Sequence, residues 1–483
     1  MRVEKVEAGE RGKGEAKVKV LESAVCPFCA CLCDDVVVAV DEEAKRVKEV
    51  RNACVLGIKK FLAAGSAALT ETAGRIRKPR VRGKETTEEE ALRNAVRILK
   101  EAEKPLVYGL GNTGYNAQRI ALEICRKKRG VLDISEVVCH NLFYQVLQKH
   151  LAESEGGEAK IYYATLEQIR EKASLVIYWG ANPFASHPRH LSKFSFYPAG
   201  MYALRGAQDR ELVAVDVVET PLKKIAKTFL RVPCGEDWRV AEILRRLVSG
   251  ETAGVRELAE GLDFATLSAI ATKMKNAFFG VIFVGLGVLA GRNAERNISA
   301  LLSLVEALNA QRCRFVLFPM KGHFNVAGAV SLLLRETGFP FSVDFSEEAH
   351  AEARRAEEVR DEEDKEASEE RGERVACVFK PGVALEVLER REVDAALILG
   401  ADPLASLPRS VASALLKIPT VVIDPFESLT AQFATVVLPS AIAGVEAEDI
   451  AYRMDFLPLR LQKIVESEFP SDAEILMEIY RNL

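Results

Sequence analysis

Four of the ten cysteines fall within eight residues, Cys26, Cys29, Cys31 and Cys33 in VCPFCACLCDD, and this crowding constrains the chain more than any other feature. A chain of 483 residues, 48% of them hydrophobic, can build its cores without spending thiols on packing. A disulfide framework belongs to small domains in an oxidising compartment. Here the N-terminus, MRVEKVEAGERGKGEAKVKV, is charged throughout and lacks an apolar stretch of the signal-peptide kind, so a cytoplasmic protein is expected. Metal is the better reading. Cys26, Cys29 and Cys33 have the spacing C-x2-C-x3-C, and Cys54 follows in RNACVLG beyond two β-rich segments, VVVAV and RVKEV. Three thiolates on a tight loop and one from a returning strand surround a 4Fe-4S cubane, one thiolate per iron. A structural zinc site uses the same four thiolates, and spacing alone leaves it open. Cys31 is the odd member. Alternation along the loop turns it away from the others, as a spare thiol or small core residue.

Charge excludes some functions. With 66 Lys+Arg against 70 Asp+Glu, the formal net charge is -4, which gives no bulk attraction to nucleic acid or an anionic membrane. The longest apolar run, Ala277 to Gly291, carries four glycines and is shorter than the roughly 20 residues that span a bilayer. It reads as a buried strand entering a loop, and no membrane insertion is expected.

Punctuation divides the chain into a charged tail (1–20), a cluster-binding module (21–66), an α/β region (67–345), a charged insertion (346–374) and a final α/β unit with a C-terminal helix (375–483). Apolar runs ending in Gly or Asp alternate with helical stretches: KPLVYGLGNTG, ASLVIYWGANP, ELVAVDVVE, FFGVIFVGLGVLAG, RFVLFPM, DAALILGADP and PTVVIDPFE. Such runs feeding helices predict parallel sheets with ligand loops at the strand C-termini.

Two of these runs are copies. Gly180 to Arg189 reads GANPFASHPR and Gly400 to Arg409 reads GADPLASLPR, identical at seven of ten positions. Each is followed by a strand ending in Asp (Asp216, Asp424) and then by a hydrophobic-Pro pair (Val232-Pro233, Leu438-Pro439). A glycine at a strand end lets backbone N–H groups approach phosphate, and an Asp ending the neighbouring strand accepts from a ribose or a guanine edge. The duplication predicts two facing domains for two similar nucleotides or two halves of one ligand.

The ordered set CPFCACLCDD, VCH (Val138 to His140), WGANPFASHPRH, PMKGHFNVAG, TGFPFSVDFS, GADP, ATVVLPSAI and GVEAEDIAYRMD resembles the B subunit of tungsten or molybdenum formylmethanofuran dehydrogenase, which is similar to the catalytic subunit of molybdopterin-dependent formate dehydrogenases. The resemblance runs from Val25 to about Ile464. It implies an α/β chain with a small iron-sulfur β module and two pseudo-symmetric parallel-sheet nucleotide-binding domains, lacking a C-terminal β-barrel domain. It also implies a 4Fe-4S cluster and tungsten or molybdenum held by two pyranopterin guanine dinucleotides, one per repeat. By the same resemblance Cys139 is the thiolate on the metal, His140 relays the proton, and Lys321 stands where the family holds CO2 or formate with arginine. Gly180, Asn182, Asp216, Asp237, Asp402 and Asp424 contact the dinucleotides. Gly285, Gly287, Gly322 and His323 lie near the pterins, and Glu446 and Glu448 are buried acceptors for pterin N–H groups.

The chain departs from the family at Asn141, Leu142 and Phe143, which replace Gly-Pro-Ser, at Lys321, at Ala30, and at Asp449-Ile450, which replace Gly-Thr. An ammonium is a point charge where a guanidinium grips a carboxylate in two parallel hydrogen bonds. The expected activity is interconversion of CO2 and formate, with a non-catalytic, cluster-carrying scaffold or a divergent formate dehydrogenase subunit as the rival readings. The implied partners are a small β-barrel subunit over the pterins, an amidohydrolase-like subunit and ferredoxin-type subunits.

Overall fold

The computed structural model of the chain describes residues 18–64, 74–138, 140–153, 160–289, 291, 293–311, 313–346, 378–379 and 382–483. Cys139, most of the charged tail and the charged insertion from 347 onward lie outside the described residues.

Three antiparallel strands open the fold: Val18–Ala24 (β1), Val36–Asp41 (β2) and Arg46–Arg51 (β3). β2 and β3 are the two β-rich segments expected between Cys33 and Cys54. β-branched residues suit this pleated surface, and Val36, Val38 and Val40 enter the same apolar core as Phe61, Tyr178, Phe283 and Phe318. The cysteine-bearing module thus packs against the first large sheet.

A hairpin, Arg80–Val81 (β4) and Lys84–Glu85 (β5), precedes Pro105–Gly109 (β6) and Val131–Ile134 (β7). Five strands follow: Leu175–Trp179 (β8), Glu211–Asp216 (β9), Thr228–Arg231 (β10), Phe279–Val284 (β11) and Arg314–Pro319 (β12). After Val343–Asp344 (β13) and Val378–Phe379 (β14) come Ala395–Leu399 (β15), Thr420–Ile423 (β16) and Val436–Leu438 (β17). A closing hairpin, Asp449–Tyr452 (β18) and Pro458–Leu461 (β19), precedes the helix Asp472–Asn482, whose N-terminus is held by a capping box between Ser471 and Glu474.

One sheet has the order β10-β9-β8-β11-β12 with every pair parallel. The other contains the parallel run β17-β16-β15-β6-β7, extended by antiparallel β4-β5 at one edge and β13-β14 at the other. The two orders correspond strand for strand: β8 with β15, β9 with β16, β10 with β17, β11 with β6 and β12 with β7. The segment 67–345 therefore contributes strands to both sheets. Sheets covered on both faces take near-continuous apolar strands. Accordingly, Val176 and Tyr178 of β8 face one core while Ile177 and Trp179 face another, and in β15 Leu397 and Ile398 part in the same way.

The repeat survives in backbone detail. Gly180 and Gly400 both adopt left-handed conformations, φ 57° and 55°, which glycine reaches without steric cost. Their N–H groups donate to Val215 and Ile423, the corresponding carbonyls of the neighbouring strands. Each copy then enters a four-residue helix, Pro183–Ser186 or Pro403–Ser406. A second matched pair crosses these loops: Gly109-Leu110-Gly111 after β6 and Gly285-Leu286-Gly287 after β11. A Cβ on Gly285 would lie 2.2 Å from the Gly180 carbonyl oxygen, and one on Gly109 would lie 2.2 Å from that of Leu399. These glycines are required by one backbone crossing another.

Candidate active site

Cys26, Cys29, Cys31, Cys33 and Cys54 line one small cavity together with Arg189. The loop closes through Cys26 N–H donating to the Cys33 carbonyl (2.9 Å) and Leu32 N–H donating to that of Cys29 (3.0 Å). Cys54 arrives at the start of the helix Val55–Leu62, and its sulfur accepts from Gly57 N–H at 3.4 Å. A Cβ on Gly57 would sit 2.8 Å from Cys26 Sγ and 3.8 Å from Cys54 Sγ, so the glycine makes room for both sulfurs. Burial and the neighbouring thiols push Cys26 far up, and burial pushes Cys33 up to about 12 against the pull of Arg189. A metal or cluster held here would bind these sulfurs as thiolates, with release of their protons. Among the described residues no three His, Cys, Asp or Glu side chains gather to hold a single metal ion.

Cys31 does not turn away. It lines the same cavity and is 1% exposed. Leu32, at φ 38°, breaks the extended alternation that would have pointed it elsewhere. Arg189, from the first copy of the repeat, grips Asp35 through two hydrogen bonds of 2.6 and 2.7 Å and so fixes the outer wall of the cavity.

The loop Lys321-Gly322-His323 joins this cavity to the segment that precedes Cys139. Ala30 N–H donates to the Gly322 carbonyl (3.1 Å), and Cys29 and His323 form a backbone bridge. His323 Nδ1 pairs with Glu136, a buried carboxylate in the 3-10 turn Ser135–Val138. Burial opposes charge on His323, but Glu136 outweighs it and pushes the imidazole up. Lys321 is buried, and its Nζ donates to the Met454 carbonyl (2.7 Å) over the ring of Phe456, 4.4 Å from its centre. Burial, only partly offset by Asp455 and Glu136, brings this ammonium down to about 7. His187 Nε2 meets the Lys321 carbonyl oxygen at 2.7 Å.

His140 is 5% exposed, and neither ring nitrogen has a partner among the described residues. Burial, with Lys321, His187 and His323 nearby, holds it down at about 3, so it is neutral near pH 7. Sequence reasoning passed over Glu136 and His187. Glu136 is the one acid in the apolar run ISEVVCH, and His187 is a position where the two copies differ, the second having Leu407.

The residues expected to contact nucleotides divide into those with open polar atoms and those committed within the fold. In the first copy Asn182 Oδ1 and Thr220 Oγ1 are buried without partners. Asp216 and Asp424 each use Oδ1 in the same local turn, accepting from Val218 N–H (3.3 Å) and Phe426 N–H (2.8 Å), and burial pushes the Asp424 carboxyl up to about 6. Asp402, by contrast, accepts from Leu429 N–H, Thr430 N–H and Thr430 Oγ1, at 3.0, 2.9 and 2.6 Å. Asp237 accepts from Trp179 Nε1 at 2.7 Å. Gly322 has space around its Cα, with no atom within 4 Å of an added Cβ.

Glu446 is buried but committed to Arg75 (2.6 Å), which also donates to the carbonyls of Pro425 and Ser440. Glu448 corrects the expectation of a second buried acceptor: at the entry to β18 its carboxylate is 63% exposed and pairs with Arg460 on β19. Glu446→Gln should lower stability by roughly 2–3 kcal/mol, less than a fully stranded buried charge, because Arg75 keeps its two carbonyls. Unchanged thermal unfolding would remove Glu446 from that role.

No helix among the described residues is long and apolar enough to cross a membrane. No protein-family model matches the chain. The fold is similar to acetylene hydratase from Pelobacter acetylenicus (TM-score 0.63, 15% identity, 96% of this chain and 69% of that chain). It is also similar to a chain in the crystal structure of the formyltransferase/hydrolase complex from Methylorubrum extorquens with methylofuran (TM-score 0.61, 18% identity, 83% of this chain and 98% of that chain). At those identities the likeness is one of fold. In sequence, the chain is 31% identical over 470 residues to the B subunit of the tungsten-containing formylmethanofuran dehydrogenase 2 of Methanococcus maripaludis, covering 96% of this chain and 99% of that protein. It is 34% identical over 465 residues to its counterpart in Methanocaldococcus jannaschii, covering 95% and 97%. With that likeness spanning the thiol loop, the Lys321 loop and both copies of the repeat, the chain belongs to the family of formylmethanofuran dehydrogenase B subunits, components of an oxidoreductase.

Proposed function

We propose that this subunit interconverts CO2 and formate for the formation or oxidation of formylmethanofuran. The observation that carries the reading is the loop 321–323, which is bonded on one side to the thiol loop and on the other, through Glu136, to the turn that leads into Cys139. An electron-transfer site and a substrate site joined by so short a bridge suit a two-electron reaction. In this reading Cys26, Cys29, Cys33 and Cys54 hold a 4Fe-4S cluster, and Cys139 binds tungsten or molybdenum carried by two pyranopterin guanine dinucleotides. The bound metal and cluster supply the redox chemistry: formate gives CO2, one proton and two electrons, or the reverse.

The unpartnered Asn182 Oδ1 and Thr220 Oγ1 in the first half fit a dinucleotide, as do the second carboxylate oxygens of Asp216 and Asp424. Lys321 faces the carboxylate. His140, whose ring nitrogens have no partner among the described residues, would take the proton that formate releases. A complex containing a small β-barrel subunit, an amidohydrolase-like subunit and ferredoxin-type subunits would complete the path of electrons and of the formyl group.

Metal and pterin analysis of the purified complex, followed by formate oxidation with a viologen dye, tests the proposal. About one tungsten or molybdenum per chain with pterin supports it, whereas iron alone would mark a cluster-carrying scaffold. Cys54→Ala should remove the iron and its visible absorption while leaving the pterin sites intact, at a cost of about 1 kcal/mol for the lost helix cap. Survival of the absorption would take Cys54 out of the ligand set.

A further inference from the structure

We propose that Asn141 is a second hydrogen-bond donor to the one-carbon substrate, completing with Lys321 a two-point grip on the carboxylate. The inference rests on the reading of the site given above and concerns a residue with no role in it so far. Asn141 is 3% exposed, and neither Oδ1 nor Nδ2 has a partner among the described residues. A buried carboxamide in that state is costly, and almost all buried polar groups in folded proteins are satisfied. The adjacent His140 is in the same condition, so two consecutive residues present four unpartnered polar atoms at one place.

The place favours an anion. Asn141 opens the 13-residue helix Asn141–Glu153, whose first N–H groups and positive dipole end attract negative charge. Asparagine at a helix start ordinarily turns its side chain onto the backbone of that helix. Here it makes no such bond. Lys321 Nζ lies 5.5 Å from the centre of the Tyr144 ring, three residues along the same helix and so on the same face, which places the ammonium at the Asn141 end. That ammonium already gives one hydrogen bond to the Met454 carbonyl, and it is a compact charge with no preference for orientation. A planar carboxylate held by Lys321 alone is free to swivel. An amide N–H at its other oxygen removes that freedom.

The test compares the complex carrying native subunit, Asn141→Leu and Asn141→Asp, each analysed for tungsten or molybdenum, pterin and iron. Leucine keeps the volume and removes the donor; aspartate places an anion against the anion. The expected result is a KM for formate raised about 10-fold to 100-fold by Asn141→Leu, with kcat little changed, because the lost bond is present in ground and transition states alike. Asn141→Asp should raise it further. A second reading needs no turnover: formate raises the melting temperature of the native complex by mass action, and at equal formate the rise should be much smaller in Asn141→Leu. Without formate, Asn141→Leu should melt no lower than the native complex, since it removes an unpaired polar group.

Lowered pterin content or melting temperature in Asn141→Leu with an unchanged KM would assign Asn141 to the cofactor or the fold and overturn the inference. Unchanged KM and unchanged formate protection would overturn it as well. If the native complex neither oxidises formate nor is stabilised by it, the reading of the site itself fails and takes this inference with it. Native turnover combined with indifference at Asn141 overturns this inference alone.

Discussion

Serine in place of Cys139 should leave the complex assembled and its pterin and iron bound, and lower formate oxidation by orders of magnitude. A hydroxyl or alkoxide is a harder and poorer partner than a thiolate for the tungsten or molybdenum proposed at this position. The exchange changes side-chain volume little, and the flanking anchors do not involve the thiol: Glu136 is held by His323 and Ser135 Oγ donates to the Gly109 carbonyl. Viologen-linked turnover of variants matched for metal content reads the effect. Full activity in a properly loaded Cys139→Ser complex would remove this residue from the centre.

The second large effect is expected at Lys321. Lys321→Ala leaves the carboxylate without its fixed counter-charge in a water-excluded site and should cost roughly 2–4 kcal/mol of transition-state stabilisation. Lys321→Arg should retain most of it, with the guanidinium stacking on Phe456, where the ammonium now sits, and offering two parallel donors. pH separates the two cations. Burial holds Lys321 down at about 7, so its charged form, which binds formate, is present below that pH and lost above it. In the native enzyme kcat/KM for formate should fall about tenfold per unit on the alkaline side, and in Lys321→Arg that fall should vanish because arginine keeps its proton. Indistinguishable values for all three proteins between about pH 6 and 9 would count against a carboxylate site here.

Much of this arrangement is legible in the residues alone. The thiol spacing, the two β-rich segments between Cys33 and Cys54, the parallel strands and the duplicated Gly-Ala-x-Pro turns are all local patterns, and periodicity and spacing report such patterns well. What escaped is non-local. The Gly-Leu-Gly pair at 109–111 and 285–287 is present in the sequence, but its purpose, passing under Gly400 and Gly180, depends on which strands become neighbours. Glu448 lies only two residues beyond the buried Glu446 and faces solvent, because the β18–β19 hairpin supplies Arg460 outside the core. Asp402 resembles its counterpart Asn182 by position, yet Thr430 and the backbone beside it take up its carboxylate. Asn141 reads as an ordinary polar residue until burial shows that nothing among the described residues answers it.

The sheet containing the second copy is stitched from opposite ends of the polypeptide: Leu106 pairs with Ala396, about 290 residues later. The other sheet is written without interruption from β8 to β12. During synthesis at about 5–20 residues per second, β6 waits on the order of 15 to 60 s for β15, while the uninterrupted sheet can already close. Its apolar edge stands bare in that interval, inviting wrong pairing unless a chaperone shields it. A ribosome stalled before Ala395 would therefore hold a chain whose second sheet lacks β15, β16 and β17. The site that needs both halves is thus a late product of translation, and cofactor delivery must wait for a nearly finished chain.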